Sequence, residues 1–508
     1  MANERVKKSS YNMVAGFINQ FVTLIFSFIS RTVFIHTLGE EYLGLNGIFA
    51  DVLNLLSMAD LGFNTAMAYS FYKPLSEKNE TALAALVNFY KRVYRVIAIL
   101  VSVIGVAIIP FLKYIVNTEK EIPNLHIYYL FSLAGVVISY LFVYKTTILT
   151  ADQKNYEVTK ITIWTNLCKT VSQIVILLLT HNYILYLTIN VLFQFLNNVI
   201  ASRKAEKSYP YIKQETFISK EEEKSIFQNM KSVFVYKLSG TLFNATDNIL
   251  ISMIVGTAAV GLYSNYLMVS QKLLLIIQII FSALTASIGN LIVKDNAEKR
   301  YEVFSAAQSV SFILCGIITS VFGLVANDLV RVWLGEGFVL PLHTVMALTL
   351  NTYLSCVLQP LWVYRDATGL YMKTKYIMMV GAILNIVLSI ALGHVLGTTG
   401  IILASAIARL STYCWYEPKL LFREYFERSA WQYYRNLLKN LILVAIVIVV
   451  LGLATQSFVI DSWQTLILKG VLIGVICCLI FMLAYVKSPG FQVIWNKAQA
   501  ILNRKKKS

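Results

Sequence analysis

Apolar residues in this chain come in runs of about 18 to 25, separated by short polar stretches. Roughly 20 residues at 1.5 Å each cross the ~30 Å apolar core of a bilayer as a helix. The pattern predicts fourteen such spans, at 12–36, 44–72, 93–117, 124–150, 158–180, 182–202, 227–255, 262–291, 302–326, 340–364, 373–396, 398–420, 436–455 and 464–486. The second and eighth exceed one bilayer crossing, which predicts tilt or an extension beyond the membrane. The span at 182–202 carries Gln194, Asn197 and Asn198, and the eleventh and twelfth are divided only by the Gly397–Gly400 stretch.

Two short phrases recur along this pattern. LFVYKTTIL at 141–149 returns as LWVYRDATG at 361–369, an offset of 220, and GEEYLGL at 39–45 returns as GTAAVGL at 256–262, an offset of 217. Nearly equal offsets at equivalent span ends predict a duplication of six helices. Six is even, so both copies start from the same side and form a parallel repeat. The expected fold class is an all-α polytopic membrane protein of about 14 helices, two six-helix bundles plus two extra helices. The expected division is a bundle at 1–202, a polar linker with a short amphipathic helix at 203–226, and a bundle at 227–420. A loop with the last two spans follows at 421–486, then a basic tail at 487–508.

Composition agrees: the chain is 57% hydrophobic and 14% charged, with mean hydropathy +0.64, where a soluble protein carries about a quarter charged residues. With the N-terminus placed in the cytoplasm, 36 of the 44 Lys and Arg fall on inner ends and loops, and only Lys113, Lys120 and Arg331 on outer ones. That bias predicts cytoplasmic N- and C-termini. The net charge of +17 is then a cytoplasmic face lying on anionic lipid, and no nucleic-acid partner is expected. The charged start MANERVKKSS precedes a run of full span length, so an uncleaved first helix is expected. The six cysteines lie in apolar runs without disulfide or zinc-ligand spacing.

Ionisable residues at membrane depth are costly and persist where they are paired or line a wet cavity. They are Arg31, Lys169, Lys272, Arg409 and Lys469 against Asp51, Asp60 and Asp247, a surplus of two cations that predicts an anionic substrate. Arg31, Lys272, Asp51, Asn244, Lys169 and Arg409 are the candidate cavity residues. Arg31 and Lys469 also lie near enough to the outer interface to snorkel, and Lys169 and Arg409 also fit helix–helix ties. Asp60 and Asp247 are the candidate coupling sites for H+ or Na+, since burial raises a carboxyl pKa. Pro360, one turn before Arg365, and Gly369 mark a bend in the second copy of the repeated phrase, read as an inner gate. The five histidines sit at outer span ends, where interfacial packing accounts for them.

No P-loop, GxSxG, HExxH or Rossmann fingerprint is present, so no enzyme activity and no resident cofactor or metal are expected. A polytopic polymerase or glycosyltransferase is the enzymatic alternative, with Glu40–Glu41 as its acidic pair, but the loop at 37–43 is short. A drug/cation antiporter is the transport alternative, and it calls for an acidic cavity.

Three stretches, YLGLNGIFADVLNLLSMADLGFNTAMAYSFYKPLSEK at 42–78, NATDNILISMIVGTAAVGLYSNY at 244–266 and VYRDATGLYMKTKY at 363–376, carry a resemblance. They resemble the polysaccharide repeat-unit (Wzx-type) flippases of the multidrug/oligosaccharidyl-lipid/polysaccharide (MOP) exporter superfamily. The resemblance implies movement of an undecaprenyl-pyrophosphate-linked oligosaccharide across the bacterial cytoplasmic membrane by alternating access. Arg31 and Lys272 would then hold the diphosphate, and membrane lipids, a polysaccharide polymerase and glycosyltransferases would be partners.

Overall fold

The computed structural model describes residues 2–60, 63–118, 121–282, 284, 288–289, 291–292, 295–493 and 495; at 2–15, 17–19, 21, 59–60, 63–66, 68–69, 225, 228–233 and 236 it describes backbone alone. The described residues form helices and turns without a strand. In lipid every backbone N–H and C=O must be satisfied within its own segment, and a helix does that. Eight helices are long and apolar enough to cross a membrane, or nine with one bent pair, among the described residues. The chain divides into two compact units, Met1–Gly261 and Leu262–Ser508.

The first unit holds α1 (Ala2–Leu38), α2 (Glu40–Leu56), α3 (Phe63–Ser76), α4 (Glu80–Ile108), α5 (Leu112–Ile115), α6 (Leu125–Tyr140), α7 (Val143–Ala151), α8 (Asn155–Thr180), α9 (Tyr183–Ser208), α10 (Lys220–Asn244) and α11 (Asp247–Ile254), and α12 (Thr257–Ser282) begins in it. α1 packs along α8, and α9 packs against both α8 and α6. An aromatic cluster joins α1, α2, α6 and α9 near the Leu38 end. Tyr183 lies 4.8 Å from Tyr128, 5.0 Å from Tyr42 and 6.0 Å from Phe34 between ring centroids. Its hydroxyl donates to Asn46 Oδ1 at 2.7 Å, so the polar tip is satisfied where the ring is buried.

Several expected spans are broken helices. The span at 44–72 is α2, a 3-10 turn over Ser57–Asp60, and α3. The span at 124–150 bends by 51° between α6 and α7 without a proline. The span at 227–255 breaks between α10 and α11 at Ala245–Thr246. The segment 203–226 holds a short 3-10 turn between two longer helices. Its helical residues are the end of α9, the turn Pro210–Lys213 and the start of α10, capped by Ser219 Oγ accepting from the Glu222 N–H. The segment is strapped to α4. Asn88 Nδ2 donates to the Gln214 carbonyl at 2.6 Å, Arg92 pairs with Glu223 at 3.1 Å, and its guanidinium sits 5.3 Å from the Phe217 ring centre. At the other end Tyr209 donates to Asp152 Oδ2 at 2.7 Å, and burial, then that carboxylate, holds its phenol well above the usual range.

The second unit continues α12 and adds α13 (Ala297–Leu334), α14 (Leu342–Val357), α15 (Gln359–Thr368), α16 (Tyr371–Leu396), α17 (Thr398–Ser411), α18 (Tyr413–Leu421), α19 (Trp431–Thr455) and α20 (Trp463–Tyr485). α13 is its axis: it packs against α14, α19 and α20, and residues from Phe304 to Leu334 along it are buried. Gly316 lets α20 approach, for a Cβ there would stand 2.3 Å from the Phe481 ring.

Two polar ties hold α19 and α20 to the second unit. Fully buried Asn440 accepts from Tyr353 Oη at 2.8 Å and donates to Tyr485 Oη at 2.8 Å. Lys469 Nζ donates to Asp328 Oδ2 at 2.6 Å, and Arg331 reaches Asp328 Oδ1 at 3.1 Å. Interhelical hydrogen bonds in membranes contribute about 0.6 kcal/mol each, up to ~1.7. Asn440→Leu keeps the volume and orphans two hydroxyls, so a loss of about 1–2 kcal/mol is expected. Thermal unfolding of the purified protein in detergent checks this, and an unchanged midpoint would count against the tie.

Candidate functional site

The repeated phrase becomes a repeated ion pair. Val143 opens α7, and Lys145 Nζ lies 2.5 Å from Glu206 Oε1 near the end of α9. Lys213 adds a second contact to Glu206 at 3.3 Å. In the other copy Arg365, on α15, donates from Nη1 to Glu417 Oε1 on α18 at 3.1 Å, while its Nε reaches Asp366 Oδ1 at 3.0 Å. The copies differ in burial. The first pair is 25% and 22% exposed at its side chains, the second 9% and 2%. The second cation is thus more than an interfacial anchor.

The proposed gate residues all lie on or beside α15. Pro360 sits in its first turn, where a missing N–H costs nothing. Gly369 ends it at φ 71°, a left-handed cap that glycine adopts freely, and the Leu370 N–H returns to the Arg365 carbonyl at 3.0 Å. The break before α15 falls at Leu358, as the break before α7 falls at Leu141–Phe142.

Among the embedded charges of the first unit, Asp51 on α2 accepts hydrogen bonds from the side chain and backbone of Asn248 on α11. Arg31, on α1, interacts electrostatically with Tyr186 of α9. Asp247 is the first residue of α11, where a carboxylate meets the positive end of the helix dipole. Lys169 is half-buried on α8. Asn244 is exposed and donates to the Gly240 carbonyl of its own helix at 2.7 Å. The side chain of Asp60 lies outside the described ones.

In the second unit Lys272 is half-buried on α12. Arg409, buried on α17, donates to Ser355 Oγ on α14, so it does tie two helices. Lys469 does not snorkel: it forms a pair with Asp328 in which the two side chains are 10% and 12% exposed. Two carboxylates escaped the sequence reading. Asp328 lies just past the expected span 302–326, but α13 runs on to Leu334. Glu417 lies inside the span 398–420, and its signal was its place near the end of that span, as Glu206 lies near the end of α9. With Lys469 neutralised, the embedded surplus narrows from two cations to one.

The solved structures most useful for comparison share this fold. The lipid II flippase MurJ in an inward closed conformation superposes with TM-score 0.66 at 15% identity, over 93% of this chain and 98% of that chain. A multidrug resistance MATE family transporter of the MOP superfamily, inward-facing, gives 0.58 at 15% identity over 78% and 93%. A MOP superfamily transporter from Pyrococcus furiosus, described as having a binding pocket of reversed polarity, gives 0.56 at 14% over 81% and 95%. The architecture is therefore that of the MOP transporters, and the chain is a multi-pass membrane protein. Residues 38–340 match the model of the family described as polysaccharide biosynthesis protein, and the chain belongs to that family. No curated protein matches the sequence.

Proposed function

We propose that the chain moves a diphosphate-linked lipid oligosaccharide from the inner to the outer leaflet of the bacterial cytoplasmic membrane, supplying units for a surface polysaccharide. The observation that carries this reading is membership of a polysaccharide-biosynthesis family on a MOP transporter fold. A named lipid II flippase among the structures of that fold supports a lipid-linked substrate. Arg31, Lys272 and Lys169 hold the anionic headgroup, with Asn244 as a polar contact. Asp60 or Asp247 couples the movement to an H+ or Na+ gradient. The charge bias along the sequence supports cytoplasmic termini. A polymerase and glycosyltransferases act on the same lipid-linked units before and after translocation.

Deleting the chain tests this directly. Lipid-linked repeat units should accumulate in the inner leaflet while surface polysaccharide falls. If both pools match the parent strain, the chain is not the flippase for that polymer.

A further inference from the structure

The four glycines of the duplicated GEEYLGL and GTAAVGL phrases play two roles, each role twice. Gly39 and Gly256 turn the chain at φ 87° and 134°, conformations that other residues rarely adopt. Gly44 and Gly261 are points of near contact between backbones. A Cβ on Gly44 would stand 2.1 Å from the Thr257 carbonyl oxygen, and one on Gly261 would stand 2.1 Å from the Glu40 carbonyl oxygen. Gly261 follows Gly44 by 217 residues, and Thr257 follows Glu40 by the same 217. The start of α2 therefore meets the start of α12 through a reciprocal pair of equivalent contacts.

More contacts follow along α2. Gly47 leaves room for Val260, whose Cγ1 would lie 3.3 Å from a Cβ there, and Asn248 bonds Asp51 one turn further on. Thr257 is itself fixed, its N–H donating to the Asn117 carbonyl at 2.7 Å and its hydroxyl lying 2.9 Å from Ser252 Oγ. The seam brings together two close backbone approaches, the Val260 side chain over Gly47 and one hydrogen-bonded carboxylate–amide pair. Such contacts are individually weak, and small residues let helices meet closely without interlocked side chains. A seam of this kind closes tightly and parts without unthreading a packed core.

We propose that this glycine clasp is the outer gate of the transporter, closed in this structure, with Asp51–Asn248 as its latch. The orientation and the transport role rest on the function proposed above; the clasp geometry does not. The reciprocal contact also explains why both copies of the phrase keep glycine at the second position while the residues between differ.

The test uses the full chain in cells, with exposed Cys168 and Cys478 replaced by Ala. Val260, which is fully buried in the seam, is replaced by Cys as a reporter for a membrane-impermeant maleimide added outside. Adding Gly44→Val should raise the labelling rate about tenfold, the response to ~1.4 kcal/mol of bias toward the open form. Gly261→Val, its equivalent, should do the same. Labelling as slow as in the parent overturns the clasp. Should the valine variants fail to fold, Gly47→Cys with Val260→Cys provides the opposite perturbation. Oxidation should lock the seam and stop delivery of surface polysaccharide, and reductant should restore it. Undiminished delivery by the cross-linked protein overturns the gate. Labelling reads the seam without reference to substrate, so it decides the clasp even where deletion of the chain leaves polysaccharide unchanged and the flippase reading falls.

Discussion

Glu417→Ala is expected to destabilise the protein by about 3 kcal/mol, because it strands a buried cation rather than merely removing a bond. Arg365 is held between Glu417 and half-exposed Asp366, and Glu417 is almost wholly enclosed. Without Glu417 the guanidinium loses its buried counter-charge, while the half-exposed Asp366 carboxylate and the Trp362 ring stay beside it. Removing the cation of the first copy, Lys145→Ala, leaves Glu206 paired with Lys213 at a partly exposed site. It is expected to cost under about 1 kcal/mol. Thermal unfolding of both variants in detergent reads the contrast. Replacing both members of the second pair by Met should recover much of the loss, as buried pairs exchanged for apolar packing often do. Equal midpoints for Glu417→Ala and Lys145→Ala would show that burial does not set the difference.

The second large effect concerns transport. Arg31→Ala and Lys272→Ala are each expected to lower delivery of lipid-linked units about tenfold or more, while insertion and thermal midpoint stay near the parent. A charge-assisted hydrogen bond to a phosphate contributes roughly 1.5–3 kcal/mol, and each 1.4 kcal/mol is a factor of ten. Arg31→Lys and Lys272→Arg should retain most activity if the headgroup is held by charge. Because Arg31 also interacts electrostatically with Tyr186, Tyr186→Phe serves as the control for a purely structural role. Full delivery by both alanine variants would remove the diphosphate site.

How much of this was legible beforehand differs from residue to residue. The apolar period located the long helices, since span length is fixed by bilayer thickness. It could not show that the spans at 44–72, 124–150 and 227–255 are broken, because a helix break without proline leaves no mark on hydropathy. The paired ends of Lys145 and Arg365 were visible as cations in a repeated phrase. Their partners Glu206 and Glu417 were not, because they lie some 50 to 60 residues away and meet them only once the helices pack. Asp328 was hidden by a helix end placed eight residues too early. Lys469 was misread for the same reason, since a cation near an interface snorkels only if no carboxylate is within reach.

The sequence by itself determined the class of protein, the membrane as its solvent, and two copies of two short phrases at nearly one offset. Those follow from local quantities: run length, residue type and spacing. Only the tertiary structure decided what the copies do. It brought Gly44 to the Thr257 carbonyl and Gly261 to the Glu40 carbonyl. It also buried one cation–carboxylate pair and left the other partly exposed. Both outcomes depend on how closely helices far apart in sequence approach, and that distance is set by packing rather than by any period along the chain.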